Sequence, residues 1–231
     1  MRRIPTALFL ITSTLLFAPH AVAARTPGAR TLLGTAAATT LAAGTYHITS
    51  VWTVSVPAKL RSITHSHGDV ATQPLEAHLY LDIDTSQLDG ETPQPGTQRE
   101  QQVVVGATVA VGGKGRSWNC AVLQDPGKVL GTLLPGSNSP VRVSYGPVTA
   151  GMLGSVPVWR VREFDSVPGG TQRATIDYFI SQAESTLLRD VITERLALSN
   201  VPVTETLTHD YSRYGERIRI KLPLACAGRT R

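Results

Sequence analysis

Aromatic side chains are scarce in this sequence: Phe, Trp and Tyr together make up 6% of 231 residues. A core built from this chain therefore rests on Val, Leu, Ile and Ala. Charged residues are also thin on the ground, at 17%, and the net charge of +5 is not gathered into a run. Arg99, Lys114, Arg116, Arg160, Arg162, Arg213, Arg217 and Arg219 stand apart from one another. Without a basic run interleaved with aromatics, a nucleic-acid partner finds no support; what remains is a weak attraction to anionic lipid headgroups at a membrane surface. No apolar run reaches the roughly 20 residues that a membrane-spanning helix needs. The signatures of catalysis are missing as well: there is no G-x-S-x-G, no H-E-x-x-H, no phosphate loop and no dinucleotide fingerprint. An enzyme would need Ser, His and Asp brought together by the fold alone, which no motif announces.

Two short patterns point weakly toward metals. His65-x-His67 lies beside Asp69 but supplies only two imidazoles, and it reads as a polar loop between strands. Asp82-x-Asp84-x-Ser86 begins like a calcium loop, yet Gln87 occupies the glycine position and Pro93 the place of the bidentate glutamate. It reads as a strand end leading to a turn at Asp89-Gly90. Neither a metal nor a cofactor is expected.

What is present begins with an address. Arg2 and Arg3 precede the apolar stretch Ala7 to Ala18; Pro19 breaks it, and Ala21-Val22-Ala23 has the small residues of a cleavage site before Ala24. Residues 1–23 are thus expected to be a signal peptide, followed by a linker at 24–30, a single domain at 31–223 and a tail at 224–231. Removing Arg2 and Arg3 takes the net charge from +5 to about +3. The sequence holds two cysteines, Cys120 and Cys226, and an exported chain is expected to join them as a disulfide. Neither follows the signal peptide, so no lipid anchor is expected and the mature protein is read as free outside the cytoplasm.

Gly and Pro, at 20 and 15 residues, with abundant Thr and Val, favour strands and turns. Thr31 is placed to cap a helix running to about Ala43, with Gly44 as its stop and Leu33, Ala37 and Leu41 as an apolar stripe. From Thr45 to Val56, Tyr46, Ile48, Trp52, Val54 and Val56 alternate with hydroxyl-rich positions, the pattern of a strand with one wet face. Leu75, Ala77, Leu79, Leu81 and Ile83 repeat it. Further strands are expected at Arg99 to Val105, Thr108 to Val111, Arg116 to Val122, Val156 to Phe164, Thr175 to Ser181, Leu187 to Leu198, Pro202 to Tyr211 and Arg217 to Leu222. Asp125-Pro126 starts a second helix carrying Val129, Leu130, Leu133 and Leu134. The expected fold class is α+β: a long, curved antiparallel sheet, a half-barrel, wrapping two or three short helices on one face.

Several segments resemble the LolA-like family, and more narrowly the LppX/LprG-type actinobacterial lipoproteins. They are Leu32-Leu33 leading through Gly44-Thr45-Tyr46-His47-Ile48, Val156-Pro157-Val158-Trp159-Arg160-Val161, Trp118 in its strand, Ile176-Asp177-Tyr178-Phe179-Ile180-Ser181 and Leu187-Leu188-Arg189. The closing Tyr211-Ser212-Arg213-Tyr214-Gly215-Glu216 and Ile218-Arg219-Ile220-Lys221-Leu222-Pro223 are the most family-like. The resemblance implies a half-closed sheet around helices whose concave side holds acyl chains, and hence binding or carrying of a lipid or lipidated molecule. The missing cysteine at the cleavage site departs from the lipoprotein members and suits a shuttle or scavenger.

The first functional reading is a non-enzymatic, monomeric exported protein holding an apolar ligand between sheet and helices. The lining would come from Tyr46, Ile48, Trp52, Val54, Leu79, Leu81 and Ile83 on strands and Leu33, Ala37, Leu41, Val129 and Leu133 on helices. The second is an extracytoplasmic structural or protein-interaction module in which the same side chains meet in a closed core.

Overall fold

A computed structural model of the chain describes residues 26–56, 60–72, 78–89, 92–93, 98–113, 117–122, 142–166, 173–198 and 201–228. The signal-peptide segment and the expected second helix, with Val129 and Leu133, lie outside the described residues.

One helix is described, α1 (Ala29–Ala43), followed by β1 (Thr45–Val56), β2 (Leu60–Ala71), β3 (His78–Asp89), β4 (Thr92–Pro93), β5 (Gln98–Val105), β6 (Thr108–Gly112), β7 (Asn119–Val122), β8 (Arg142–Tyr145), β9 (Thr149–Leu153), β10 (Val156–Ser166), β11 (Arg173–Ser181), β12 (Leu187–Leu198) and β13 (Val201–Ser212). The strands form a single antiparallel sheet in the order β7-β6-β5-β3-β2-β1-β13-β12-β11-β10-β8, with β4 against β3 and β9 against β10. β1 sits at its centre because it pairs with β2 along one side and with β13 along the other. Among the described residues the sheet is open, since β7 and β8 end it and do not pair with each other.

α1 begins at Ala29 rather than Thr31, with Gly28 as a cap that offers no side-chain hydrogen bond. It stops at Gly44, whose φ of 76° is left-handed and is adopted at low cost by glycine alone. The stop is tied down by Thr72, whose backbone N–H donates to the Gly44 carbonyl. The buried stripe is Leu32, Ala36 and Thr40, one residue round from the expected one. Leu33 and Ala37 are half-buried at its flank, and Leu41 is 38% exposed. A turn of 100° separates adjacent stripes, and the small Ala36 is the residue that lets the helix settle close to the sheet.

The helix closes one end of one sheet face, called here the inner face. Leu32 and Ala36 pack there with Tyr46, Ile48, Val70, Val104, Val109, Val161, Tyr178, Ile180, Leu187 and Tyr211. The outer face has a second, smaller core. Val103, Ala110 and Cys226 are buried in it, with Trp118, Cys120, Ile220 and Leu222 packed around them. Gly112 is required beside Trp118, because a Cβ there would stand 2.8 Å from the indole ring.

Two expectations are corrected. The run 217–222 is extended but joins no ladder; it is a strap laid over the outer face by Ile220 and Leu222. His65, His67 and Asp69 belong to β2, not to a loop. That strand is too polar to announce itself, and it forms because β1 and β3 pair with it on both sides. His65 and His67 are exposed, while Asp69 accepts from His47 Nδ1 at 2.9 Å.

Cys120 and Cys226 are joined as expected, across a sequence separation of 106. The bond fastens the strap to β7. Closing a loop of that length restricts the unfolded chain by about 4–5 kcal/mol. Replacing both cysteines by serine should lower the melting temperature by about 10 °C or more in a calorimetric scan. A shift within error would mean that the strap adds nothing to global stability.

Candidate functional site

Side chains alternate between faces along a strand, so the registers of β1, β13 and β12 arrange the inner face in rows. Ile48 stands opposite Tyr211 in the row beneath α1. The next row is polar: Ser50 opposes His209, and His209 opposes Asp190. The third is apolar, with Trp52 against Leu207 and Leu207 against Ile192. The fourth holds Val54, Glu205 and Glu194.

The polar row is a satisfied buried network. His209 Nδ1 meets Asp190 Oδ1 at 2.9 Å, and the Tyr211 hydroxyl donates to Asp190 Oδ2 at 2.6 Å. All three side chains are buried, so each depends on the others for partners it cannot find in water. Burial, followed by the nearby Asp190 carboxylate, holds the Tyr211 hydroxyl protonated well above its ordinary range. Tyr46 packs beside it, ring centroids 5.7 Å apart, and Tyr214 donates to the Leu187 carbonyl. The contacts of His209 and Asp190 thus account for Ser50 lying beside His209 as strand register, without the hydrogen bond a nucleophile needs.

Beyond this row the inner face opens. Trp52, Ile192 and Leu207 form the floor of a cavity of about 330 Å³, with Glu194 and Glu205 at its side. Trp52 is 41% exposed although it lies in the middle of the sheet. The apolar row continues outward: Ile192 opposes Ile176, and Ile176 opposes Glu163 on β10.

Glu163 is only 6% exposed and shares its face with Asp165. Burial first, then the charge of Asp165, pushes the Glu163 carboxyl up to about 7, and burial raises Asp165 as well. Two neighbouring carboxyls, each partly withdrawn from water, disfavour being ionised together, so they titrate as a pair rather than singly. Tyr145 on β8 stands opposite Glu163 in the ladder, at the edge of the sheet.

Of the residues expected to line a site, Trp52 borders the cavity. Tyr46 and Ile48 are in the closed cluster under α1, and Val54 is half-buried in the row after Trp52. Leu33 packs at the edge of that cluster, Ala37 is half-buried and Leu41 faces solvent. Leu79, Leu81 and Ile83 are on β3, where the backbone register sets them opposite Val70, Gly68 and Ser66. Val129 and Leu133 are outside the described residues. Ile192, Leu207 and Glu163 were missed by sequence reasoning. The alternation Val203, Glu205, Leu207, His209, Tyr211 marked the face of β13, but which of these meets Trp52 depends on a register no local pattern supplies.

A carboxyl raised in the folded state holds its proton more tightly there than in the unfolded chain. Glu163 therefore contributes stability at low pH that is lost as pH rises from the usual carboxylate range through about 7. Glu163→Gln should flatten this slope and leave the protein about 2 kcal/mol more stable than the parent above pH 7, read by denaturant unfolding at several pH values. Parallel pH profiles for parent and variant would show that the pair carries no proton.

No protein-family model matches the chain, and no relative is found among curated proteins. Among solved structures it is similar to LprF from Mycobacterium bovis, at 15% identity over 84% of this chain and 96% of that one, with a TM-score of 0.48. It is also similar to a LolA superfamily protein from Nitrosomonas europaea, at 11% identity over 85% and 96%, with a TM-score of 0.34. A DUF1329 family protein from Desulfovibrio piger follows, at 6% identity over 83% and 95%, with a TM-score of 0.29. These are likenesses of outline.

Proposed function

We propose that this chain is an exported, non-enzymatic protein that holds an apolar ligand, an acyl chain of a lipid or lipidated molecule, on the half of its inner face that α1 does not cover. The observation that carries the reading is the cavity floored by Trp52, Leu207 and Ile192. A large indole left in contact with water at the centre of a sheet is unfavourable, and an alkyl chain laid over it recovers about 0.8 kcal/mol per methylene buried. The volume is at the small end of the about 300–1,000 Å³ typical of small-molecule sites and fits a single chain. In this reading Val54 extends the floor, Tyr46 and Ile48 close the inner end, and Leu33 and Ala37 border the helix side. Leu79, Leu81, Ile83, Val129 and Leu133 remain candidates for the lining, while the exposed Leu41 does not line it. The sequence resemblance to acyl-chain carriers and the disulfide, which suits an oxidising compartment, support it.

The test is native mass spectrometry of the chain from Ala24 onward, followed by organic extraction. A stoichiometric adduct that extracts as lipid is expected. Trp52→Ala should weaken binding of an added fatty acid about tenfold, as loss of one large apolar contact implies. A bare mass that stays bare after incubation with membrane extract would overturn the reading in favour of the interaction module.

A further inference from the structure

The strap that crosses the outer face has a second side. Its inward residues Ile220 and Leu222 are packed, with Trp118, against the buried cluster of Val103, Ala110 and Cys226, and Ile218 is half-buried. The residues alternating with them, Arg217, Arg219 and Lys221, are exposed, and none forms an ion pair with a described carboxylate. Arg213 differs: it is engaged with His47, Asp69 and Glu216. The backbone that carries these three cations, unpaired among the described residues, is held in place by the packing of their neighbours.

The strap ends in a turn that presents Leu224, 96% exposed, two residues before the disulfide-bonded Cys226. Val122, 56% exposed, is on β7 two residues after Cys120 and so shares its face. Two bare aliphatic side chains therefore flank the disulfide at the end of a cationic row. Isolated exposed leucines are ordinary; one at 96% exposure, on a turn fastened by a covalent bond, next to a row of three cations unpaired among the described residues, suits contact with an amphipathic partner.

We propose that this strap docks the protein on an anionic lipid surface, with Arg217, Arg219 and Lys221 on the headgroups and Leu224, assisted by Val122, entering the interface. Charge complementarity selects a negatively charged partner. The aliphatic anchor selects a lipid interface over a nucleic acid, since residues 215–228 contain no aromatic on which a base could stack. The inference stands on the outer face and does not depend on the cavity.

Flotation with vesicles tests it. The protein should bind phosphatidylcholine vesicles containing phosphatidylglycerol, bind pure phosphatidylcholine poorly, and be released by salt as screening shortens the reach of the charges to about 10 Å or less. Each cation near such a surface contributes about fivefold, so Arg217→Gln, Arg219→Gln and Lys221→Gln together should reduce binding about a hundredfold. Leu224→Ser, at a fully solvated position, should reduce it severalfold with an unchanged melting temperature, and Trp52→Ala should leave it unchanged. Equal binding to neutral vesicles, no loss in the triple variant, or preference for heparin over anionic vesicles would overturn the proposal.

Discussion

The pairing of β1 with β13 is the constraint on which the rest of the molecule depends. It joins the first strand of the chain to the last, in a register that sets Ile48 against Tyr211 and Trp52 against Leu207. A shift by one residue would turn every side chain of β13 to the other face, expose Tyr211 and bury Asp210. The His209, Asp190 and Tyr211 network fixes the next pairing, β13 with β12, because its hydrogen bonds join those two strands in the observed register. Its net contribution to stability is of the order of that of a few hydrogen bonds, while what it fixes is the arrangement of everything on the inner face.

That arrangement divides the inner face in two. Under α1 the rows are filled by tyrosines, valines and leucines that meet one another. Past the polar row, the described helix no longer covers the sheet and the apolar row of Trp52, Leu207 and Ile192 is left with a cavity above it. The closed half holds the larger core, and the open half holds the proposed site. The disulfide belongs to neither; it fastens the strap across the other face, so that the proposed ligand site and the proposed docking surface stand on opposite sides of the sheet.

The sequence made β1 and β12 legible to the residue, Thr45–Val56 and Leu187–Leu198, because their alternation and flanking turn residues are strong. The stop of α1 was legible from Gly44, whose left-handed backbone only glycine adopts easily. β2, β8 and β9 were not: β2 is a run of polar residues, and the other two are short strands on the edge of β10, formed by pairing rather than by any local preference. The strap read as a strand because Ile218, Ile220 and Leu222 alternate, and alternation reports one buried face without saying whether the backbone finds a ladder. At the site, Trp52 was found from its strand pattern, whereas Ile192 and Leu207 become its neighbours through pairings some 140 to 155 residues apart in sequence, which no local signal carries.

The account stands or falls on where an apolar chain comes to rest. A photoactivatable fatty acid, bound to the folded protein, crosslinked and located by peptide mass spectrometry, reads this directly. Label concentrated on the peptides that carry Trp52, Ile192 and Leu207, and competed away by unlabelled fatty acid, is the predicted result. Label spread over the outer face, or unaffected by competitor, would contradict the assignment of the inner face as the binding site.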